Sequence, residues 1–339
     1  LEPWIWSTFG IFRGIRGASG GPDQSAREFL ERRGYRGLAR VLAEATLTSH
    51  LPASVDEIGM HGLLDDGVIE LERGVNHRVD DGYDALPARL ARGLDVALEV
   101  EVEEIRWSPR GVACTTRQGE TLEARAAVCT LPLGVLQSGD VRFHPELPAG
   151  KRTALRALGM GPVVKLLLRF RERFWPSWLA MAACVTGPVT LYWPVFHGRH
   201  DAPPVLTAYA TGPRAALLGR VGEAEAAEIV VTDLRRLFPK TDPRPLLEAW
   251  RRIDWTADVH ARGGYSFVRP GGVGARDRLA AADTGALFWA GSATASRPIA
   301  ASVEAAYVSG LRAAGEARVH LGAVPHRVGP PQRLAALEA

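Results

Sequence analysis

Lysine is nearly missing from this chain: among 41 basic residues only Lys151, Lys165 and Lys240 are lysines, so an ammonium in an apolar setting stands out. Cysteine is scarce too, and Cys114, Cys129 and Cys184 form neither a disulfide framework nor a zinc-ligand pattern, which leaves no metal site expected. No apolar run approaches the roughly 20 residues that span a bilayer, and no basic-then-apolar leader opens the chain. These absences argue against a membrane protein and make the cytoplasm the default compartment. Charge of one sign is lacking as well: the net charge is +3 over 339 residues, with arginines scattered among aspartates and glutamates, which argues against a nucleic-acid partner. The chain has no initiating methionine and opens on Leu1-Glu2-Pro3-Trp4-Ile5-Trp6, so the true N-terminus is expected to be missing. No internal repeat is present.

What remains is a globular composition, 46% hydrophobic and 23% charged, in a chain long enough for a large core and more than one structural unit. Phe29, Leu30, Leu38, Val41 and Leu42 recur at helical spacing and predict amphipathic helices over residues 25–50. A helix over 83–93 and strands over 96–107, 111–116 and 126–130 follow, punctuated by Pro109-Arg110-Gly111 and Gln118-Gly119-Glu120. Between residues 141 and 272 strands dominate, notably 163–170 and 189–194, with one helix over 223–237. A strand over 286–290 then leads through a turn into a helix over 302–320, and the Pro-rich end after Gly322 reads as a loose tail.

The strand-turn-helix near the C-terminus is the clearest physical signal. Leu287-Phe288-Trp289-Ala290-Gly291 is an apolar strand ending in glycine, and Val303, Ala306, Tyr307, Gly310 and Ala313 mark a helix rich in small residues. Small residues let backbone approach a flat ligand, and a helix N-terminus offers free N–H groups and a positive dipole end. The same composition also serves a helix packed tightly on a sheet, so this segment alone leaves both readings open.

With its flanks, Leu287-Phe288-Trp289-Ala290-Gly291-Ser292-Ala293-Thr294 followed by Ser302-Val303-Glu304-Ala305-Ala306-Tyr307 resembles the C-terminal signature of the flavin-containing amine oxidases. That family includes monoamine oxidases, polyamine oxidases and lysine-specific histone demethylases. Gly82-Tyr83-Asp84-Ala85-Leu86, Thr130-Leu131-Pro132-Leu133-Gly134-Val135-Leu136, and Gly159-Met160-Gly161-Pro162-Val163-Val164-Lys165 with Phe174-Trp175-Pro176 match further family segments in the same order. The resemblance implies a fold of α/β with α+β character. A Rossmann-like FAD/NAD(P)-binding domain, its first βαβ unit missing, would be interleaved with a mixed-sheet and helical substrate domain. Residues 1–73 would form the helical part of the substrate domain, 74–140 an FAD-binding segment, 141–272 the rest of the substrate domain, 273–321 the C-terminal FAD-binding segment and 322–339 the tail.

Lys165 interrupts the apolar run 163–168, where an ammonium is costly without a partner. By itself it fits a lysine snorkelling from an edge strand to water. The resemblance instead assigns it the lysine that reaches the flavin N5 through a water and assists reoxidation by oxygen. Trp255, Asp258, His260, Gly263, Gly264, Tyr265 and Ser266 resemble the segment that turns toward flavin and amine, and Trp255, His260 and Tyr265 are the expected cavity residues. Aromatic faces suit amines because the ring quadrupole attracts cations; Tyr265 also fits a core tyrosine with a satisfied hydroxyl. Gly264 stands where relatives with covalent flavin carry cysteine, so any FAD is expected to be noncovalent. Val102 matches a backbone contact to adenine, and Thr130, Leu131 and Pro132 match a loop beside the cofactor, although all four also suit plain sheet positions. Gly291, Ser292, Ser302, Val303 and Ala306 complete the expected cofactor contacts.

The pattern departs from the family in three ways. No G-x-G-x-x-G follows an opening strand near Leu1, and Gly17-Ala18-Ser19-Gly20-Gly21 does not replace it because Pro22 follows and no apolar strand precedes. Ser292 stands for the usual glutamate, and Ala305 for a glycine whose replacement would press a methyl toward the flavin. The resemblance implies oxidation of an amine C–N bond by hydride transfer to flavin N5, with oxygen as second substrate and hydrogen peroxide as product. The missing dinucleotide-binding segment would be a necessary partner of this chain. A non-catalytic remnant of the fold, and a flavin oxidase or desaturase acting on a non-amine, stay open beside it.

Overall fold

The computed structural model describes residues 21–67, 79, 82–199, 201–282, 285–295 and 300–322. The aromatic opening, most of the 17–21 glycine stretch, the expected boundary at 73/74 and the Pro-rich end fall outside them.

Three helices open the described chain: α1 (Ala26–Arg32), α2 (Gly37–His50) and α3 (Met60–Asp65). Ser25 and Glu28 form a reciprocal capping box that starts α1. Phe29, Leu30, Leu47, Ile58 and Met60 bury themselves in a common core that also takes Phe267 from a distant strand. The short α4 (Ala85–Leu90) buries none of its residues.

A four-stranded sheet follows, ordered β3-β2-β1-β5, from β1 (Val102–Ser108), β2 (Gly111–Thr116), β3 (Thr121–Ala124) and β5 (Arg142–His144). β1 and β2 pair antiparallel across the two-residue turn at 109–110, whereas β5 lies parallel to β1. The strand expected from residue 96 begins only at Val102. Glu99 sits at φ 59°, in the left-handed region that breaks extended backbone, and Leu94, Val96 and Leu98 face solvent. β3 was hidden in the sequence because each of its side chains is exposed and supplies no apolar alternation.

Between these strands, β4 (Ala127–Cys129) leads into α5 (Leu133–Ser138), and α6 (Ala149–Ala157) precedes β6 (Leu158–Gly161). A five-stranded antiparallel sheet comes next, ordered β11-β7-β10-β9-β8, from β7 (Val163–Phe170), β8 (Ala182–Ala183), β9 (Leu191–Pro194), β10 (Val205–Thr211) and β11 (Leu247–Asp254). One face, including Val164, Leu166, Leu168, Tyr192, Leu206 and Ala208, packs on α7 (Gly212–Arg220) and α8 (Glu223–Leu237). Residues 141–272 are thus more helical than the strand-dominated expectation, since α6 and α7 join α8. Both begin beside a proline, Pro148 and Pro213, which reads as a break in sequence yet suits the first turn of a helix.

The chain ends in β12 (Tyr265–Val268), antiparallel to β6; α9 (Ala275–Ala280); β13 (Leu287–Trp289), parallel to β4; and the long α10 (Val303–His320). Helices and sheets of both strand orientations are therefore combined, a mixed α/β fold. Among the described residues no helix is long and apolar enough to cross a membrane.

Candidate active site

Parallel pairing places the two loops that matter side by side. β4 and β13 run together with Cys129 opposite Trp289, so both deliver their next residues, Thr130–Pro132 and Ala290–Ser292, at the same carboxyl edge. In open α/β sheets that edge is where ligands bind. Gly291 turns the chain there with φ 118° and ψ 161°, backbone angles that are essentially reserved for glycine. Its N–H donates to Ser309 Oγ at 2.9 Å, and Thr294 Oγ1 donates back to Gly291 O at 2.9 Å. Arg312 reaches across from α10 to donate to Trp289 O at 2.7 Å and Ala280 O at 3.3 Å. The turn is thereby pinned to the helix behind it.

α10 begins where Ser302 Oγ accepts from Ala305 N at 3.0 Å, an N-cap that satisfies one of the free donors of the first turn. Its buried face carries Ala305, Ser309 and Ala313. Ala306 and Gly310 instead border a cavity of about 430 Å³, whose walls also include Thr130–Leu133, Met160, Trp255, Gly263–Ser266, Leu279 and Trp289–Thr294. Methyl groups added at Gly291 or Gly310 would meet open space.

A second wall carries the hydroxyls. Gly263 and Gly264 bring the chain against Met160 and Val163, where a Cβ would collide with either side chain. Tyr265 follows, and its hydroxyl donates to His50 O at 3.1 Å while accepting from Tyr209 Oη at 3.4 Å. Lys165 lies opposite Tyr209 across the β7–β10 pair, its Nζ 5.8 Å from the ring centroid. Burial lowers the pKa of Lys165 and raises those of Tyr209 and Tyr265, so all three are pushed toward their neutral forms.

Of the residues singled out in sequence, Thr130, Leu131, Pro132, Trp255, Tyr265, Gly291, Ser292 and Ala306 meet around this one cavity. Lys165 stands behind it, joined through Tyr209. Val102 and His260 lie elsewhere: they share an adjoining depression of about 480 Å³, which touches the first cavity through Leu131. His260 is exposed there and is not beside Tyr265. Ser302 serves as the cap of α10, Val303 is half exposed, and the methyl of Ala305 is buried in the helix interface rather than pressed into the cavity.

Sequence reasoning overlooked three supports. Tyr209 was legible only as one β-strand residue among several. Lys151 is 2% exposed, donates to Leu279 O and Ala281 O at 2.8 and 2.9 Å, and sits 4.4 Å from the Trp289 ring centroid. Its scarcity as a residue type was the available signal. Arg276 binds Asp66 and Ser266 in the interior, and nothing in the local sequence distinguished it from the surface arginines. Burial lifts the Cys129 thiol to about 11, which makes it an inert core group. Among the described residues no cluster of three or more His, Cys, Asp or Glu could hold a metal.

The cavity thus lies at the carboxyl edge of a parallel strand pair in a mixed α/β fold, backed by a capped small-residue helix and bordered by Tyr265. Residues 16–318 match the profile of the flavin containing amine oxidoreductases, and the chain belongs to that family. It is 33% identical over 278 residues to polyamine oxidase 4 of Oryza sativa subsp. japonica, covering 80% of this chain and 54% of that protein. Over 244 residues it is 32% identical to lysine-specific histone demethylase 2 of Homo sapiens, covering 69% and 29%. The chain thus spans about half, or less, of the curated relatives it matches. Its fold is similar to putrescine oxidase solved with putrescine (TM-score 0.77, 16% identity, 93% of this chain and 76% of that one). It is also similar to cyclohexylamine oxidase from Brevibacterium oxydans IH-35A (TM-score 0.78, 17% identity, 95% and 77%).

Proposed function

We propose that this chain carries the ring-binding and substrate-binding parts of an FAD-dependent amine oxidase, with FAD held noncovalently. The observation that carries the reading is the cavity at the β4–β13 edge. Its lining is mainly apolar, with Thr130, Ser266, Ser292 and Thr294 among it, and it is open where Gly291 and Gly310 lack a Cβ and bordered by Tyr265. Those walls fit a flat, largely apolar ring system: Thr130–Pro132, Gly291, Ser292 and Ala306 would hold it, and Val102 in the adjoining depression would meet the adenine end. Gly264 offers no thiol for a covalent link.

When bound, the flavin supplies the acceptor for the hydride leaving the amine carbon, and oxygen takes those electrons on to hydrogen peroxide. The protein's share is placement and exclusion of water. Tyr265 and Tyr209, kept neutral by burial and hydrogen-bonded to one another and to His50 O, present aromatic faces that orient an amine. Lys165, its ammonium disfavoured by burial, is suited to hold a water near the reacting face and to pass a proton. Trp255 closes the side of the cavity.

The adenosine and pyrophosphate half would be supplied by a glycine-rich βαβ unit added to these residues. Half-exposed Val303, Tyr307 and Leu311 on α10, and exposed Leu94 and Leu98, give such a unit an apolar surface to cover. The test is the visible absorption spectrum of the protein after mixing with FAD and desalting, with and without an appended dinucleotide-binding unit. Flavin retained by the completed protein and bleached by an amine without oxygen supports the reading. Flavin retained by neither form leaves a non-catalytic fold.

A further inference from the structure

The four-stranded sheet, away from the cavity, ends in a strand with an open edge. β3 pairs with β2 alone, so among the described residues its other edge meets no strand. The hydrogen-bond phase decides which groups face outward. Thr116 N–H donates to Glu120 O, and that pair continues the register that sets Cys114 opposite Leu122 and Val112 opposite Ala124. In an antiparallel ladder alternate pairs exchange hydrogen bonds. Leu122 and Ala124 therefore direct their N–H and C=O groups at β2, whereas those of Thr121 and Glu123 point to the open edge, a template for another strand. Residues two apart in an extended strand share a face, so Glu123 and Arg125, where the strand ends, both stand on the exposed face. Neither has an ion pair among the described residues, although Glu101, Glu103 and Glu104 nearby are taken by Arg117, Arg142 and Arg106.

We propose that β3 is a dimerisation edge, pairing antiparallel with β3 of a second copy of this chain about a two-fold axis at Ala124. The charges select that register. An axis at Glu123 sets the carboxylate against its own copy, and like charges directly opposite destabilise a strand pair. An axis at Thr121 or Leu122 brings Arg117 or Gly119 of the second copy opposite Arg125, and neither is an acid. An axis at Ala124 sets Glu123 opposite Arg125 of the second copy, and two-fold symmetry makes the contact twice. Half-exposed Leu122 then faces a second Ala126. Room for the paired side chains exists: the small residues Gly111 and Ala113 lie in a concavity of about 620 Å³ bordered by Arg110, Glu123 and Arg125. With one short strand from each copy the contact is smaller than a permanent interface, so the dimer forms and dissociates with concentration.

Sedimentation velocity over a wide range of concentration tests this on the whole chain, together with amide hydrogen exchange at the two ends of that range. The expected result is a monomer–dimer equilibrium in which exchange of the Glu123 N–H slows as the dimer forms. Glu123→Arg alone and Arg125→Glu alone each weaken the dimer about tenfold, because two opposite-charge pairs become two repulsions. The double variant, Glu123→Arg with Arg125→Glu, puts opposite charges face to face again and regains the dimer. Both side chains are exposed, so the variants keep the fold, which an unchanged thermal midpoint verifies. A monomer at every concentration overturns the proposal and makes Glu123 and Arg125 guards of an edge that stays single. A dimer indifferent to both single reversals, a double variant that stays monomeric, or Glu123 exchange that does not slow overturns it equally.

Discussion

The Arg276 guanidinium and the Asp66 carboxylate meet in two parallel hydrogen bonds, Nε to Oδ1 at 2.6 Å and Nη2 to Oδ2 at 2.8 Å, with both side chains almost fully buried. Arg276 Nη1 also donates to Ser266 Oγ at 2.7 Å, so one guanidinium ties the residue after α3 to α9 and to the strand that carries Tyr265. Removing one partner leaves an uncompensated buried charge. Asp66→Asn is expected to destabilise the protein by about 3 to 5 kcal/mol in urea denaturation. Replacing both partners with apolar residues of similar size, Asp66→Leu with Arg276→Met, is expected to recover most of that loss. A single variant as stable as the parent would show that the pair is not closed in solution.

Lys151 performs a comparable task beneath the cavity. Its ammonium is shared by two carbonyls at the end of α9 and by the Trp289 ring, the residue immediately before the turn at Ala290–Gly291. Lys151→Met keeps the volume and the stem packing but leaves those carbonyls without their donor. Destabilisation of about 2 to 4 kcal/mol is expected, together with a shift in tryptophan emission. An unchanged urea midpoint would mean that water replaces the ammonium.

The elements most readable from sequence were those whose periodicity matched a single layer. β7 and α8 have the expected bounds because their apolar residues face one core. The cavity was readable only in halves: Thr130–Pro132 and Gly291–Ser292 were separate suspects, and the parallel register that joins them is a contact between residues some 160 positions apart. His260 was expected in one cavity with Trp255 and Tyr265 but borders the adjoining depression, because five residues of sequence do not reveal the turn between His260 and Tyr265. Arg262 takes φ 54° and Gly263 φ 142° there, sending the two side chains to different depressions. Arg276 was invisible as a support, and Lys151 was marked only by the scarcity of lysine, since their partners are a carboxylate and backbone carbonyls brought by other segments.

Gly291 is a direct test of the turn. A methyl at its Cα would enter open cavity, so sterics alone permit alanine, but φ 118° with ψ 161° does not. Gly291→Ala is expected to lose about 1 to 3 kcal/mol of stability from the forced backbone. It should also weaken FAD binding by the completed protein, measured by fluorescence titration, beyond what Gly310→Ala does. Equal effects of the two alanines would place the ring system away from this turn.

Three of the six tyrosines, Tyr192, Tyr209 and Tyr265, are held above their ordinary pKa of 10 chiefly by burial. Below that value folded and unfolded states are both protonated and no difference arises. Above it the unfolded chain releases protons that the folded protein retains, so stability falls as pH rises past 10. A spectrophotometric titration should show the phenols of Tyr192, Tyr209 and Tyr265 ionising only as the protein unfolds. Ionisation of Tyr209 or Tyr265 in the folded state, identified by loss of its signal in the Phe variant, would contradict the burial of the pair.

Lys165 has the opposite sign. Burial lowers its pKa below the ordinary 10.5, so below that lowered value the folded protein carries the full cost of a poorly solvated ammonium. As pH climbs from the lowered value toward 10.5, the folded protein gives up its proton while the unfolded chain keeps it, and this group's contribution to stability rises. Lys165→Met lacks the ionisable group altogether. It is therefore expected to be more stable than the parent below the lowered pKa, with the gap between their urea midpoints closing as pH is raised through that window and before the tyrosines take over. A gap that stays constant with pH would mean that Lys165 reaches solvent, and the water-holding role proposed for it beside Tyr209 would lose its physical basis.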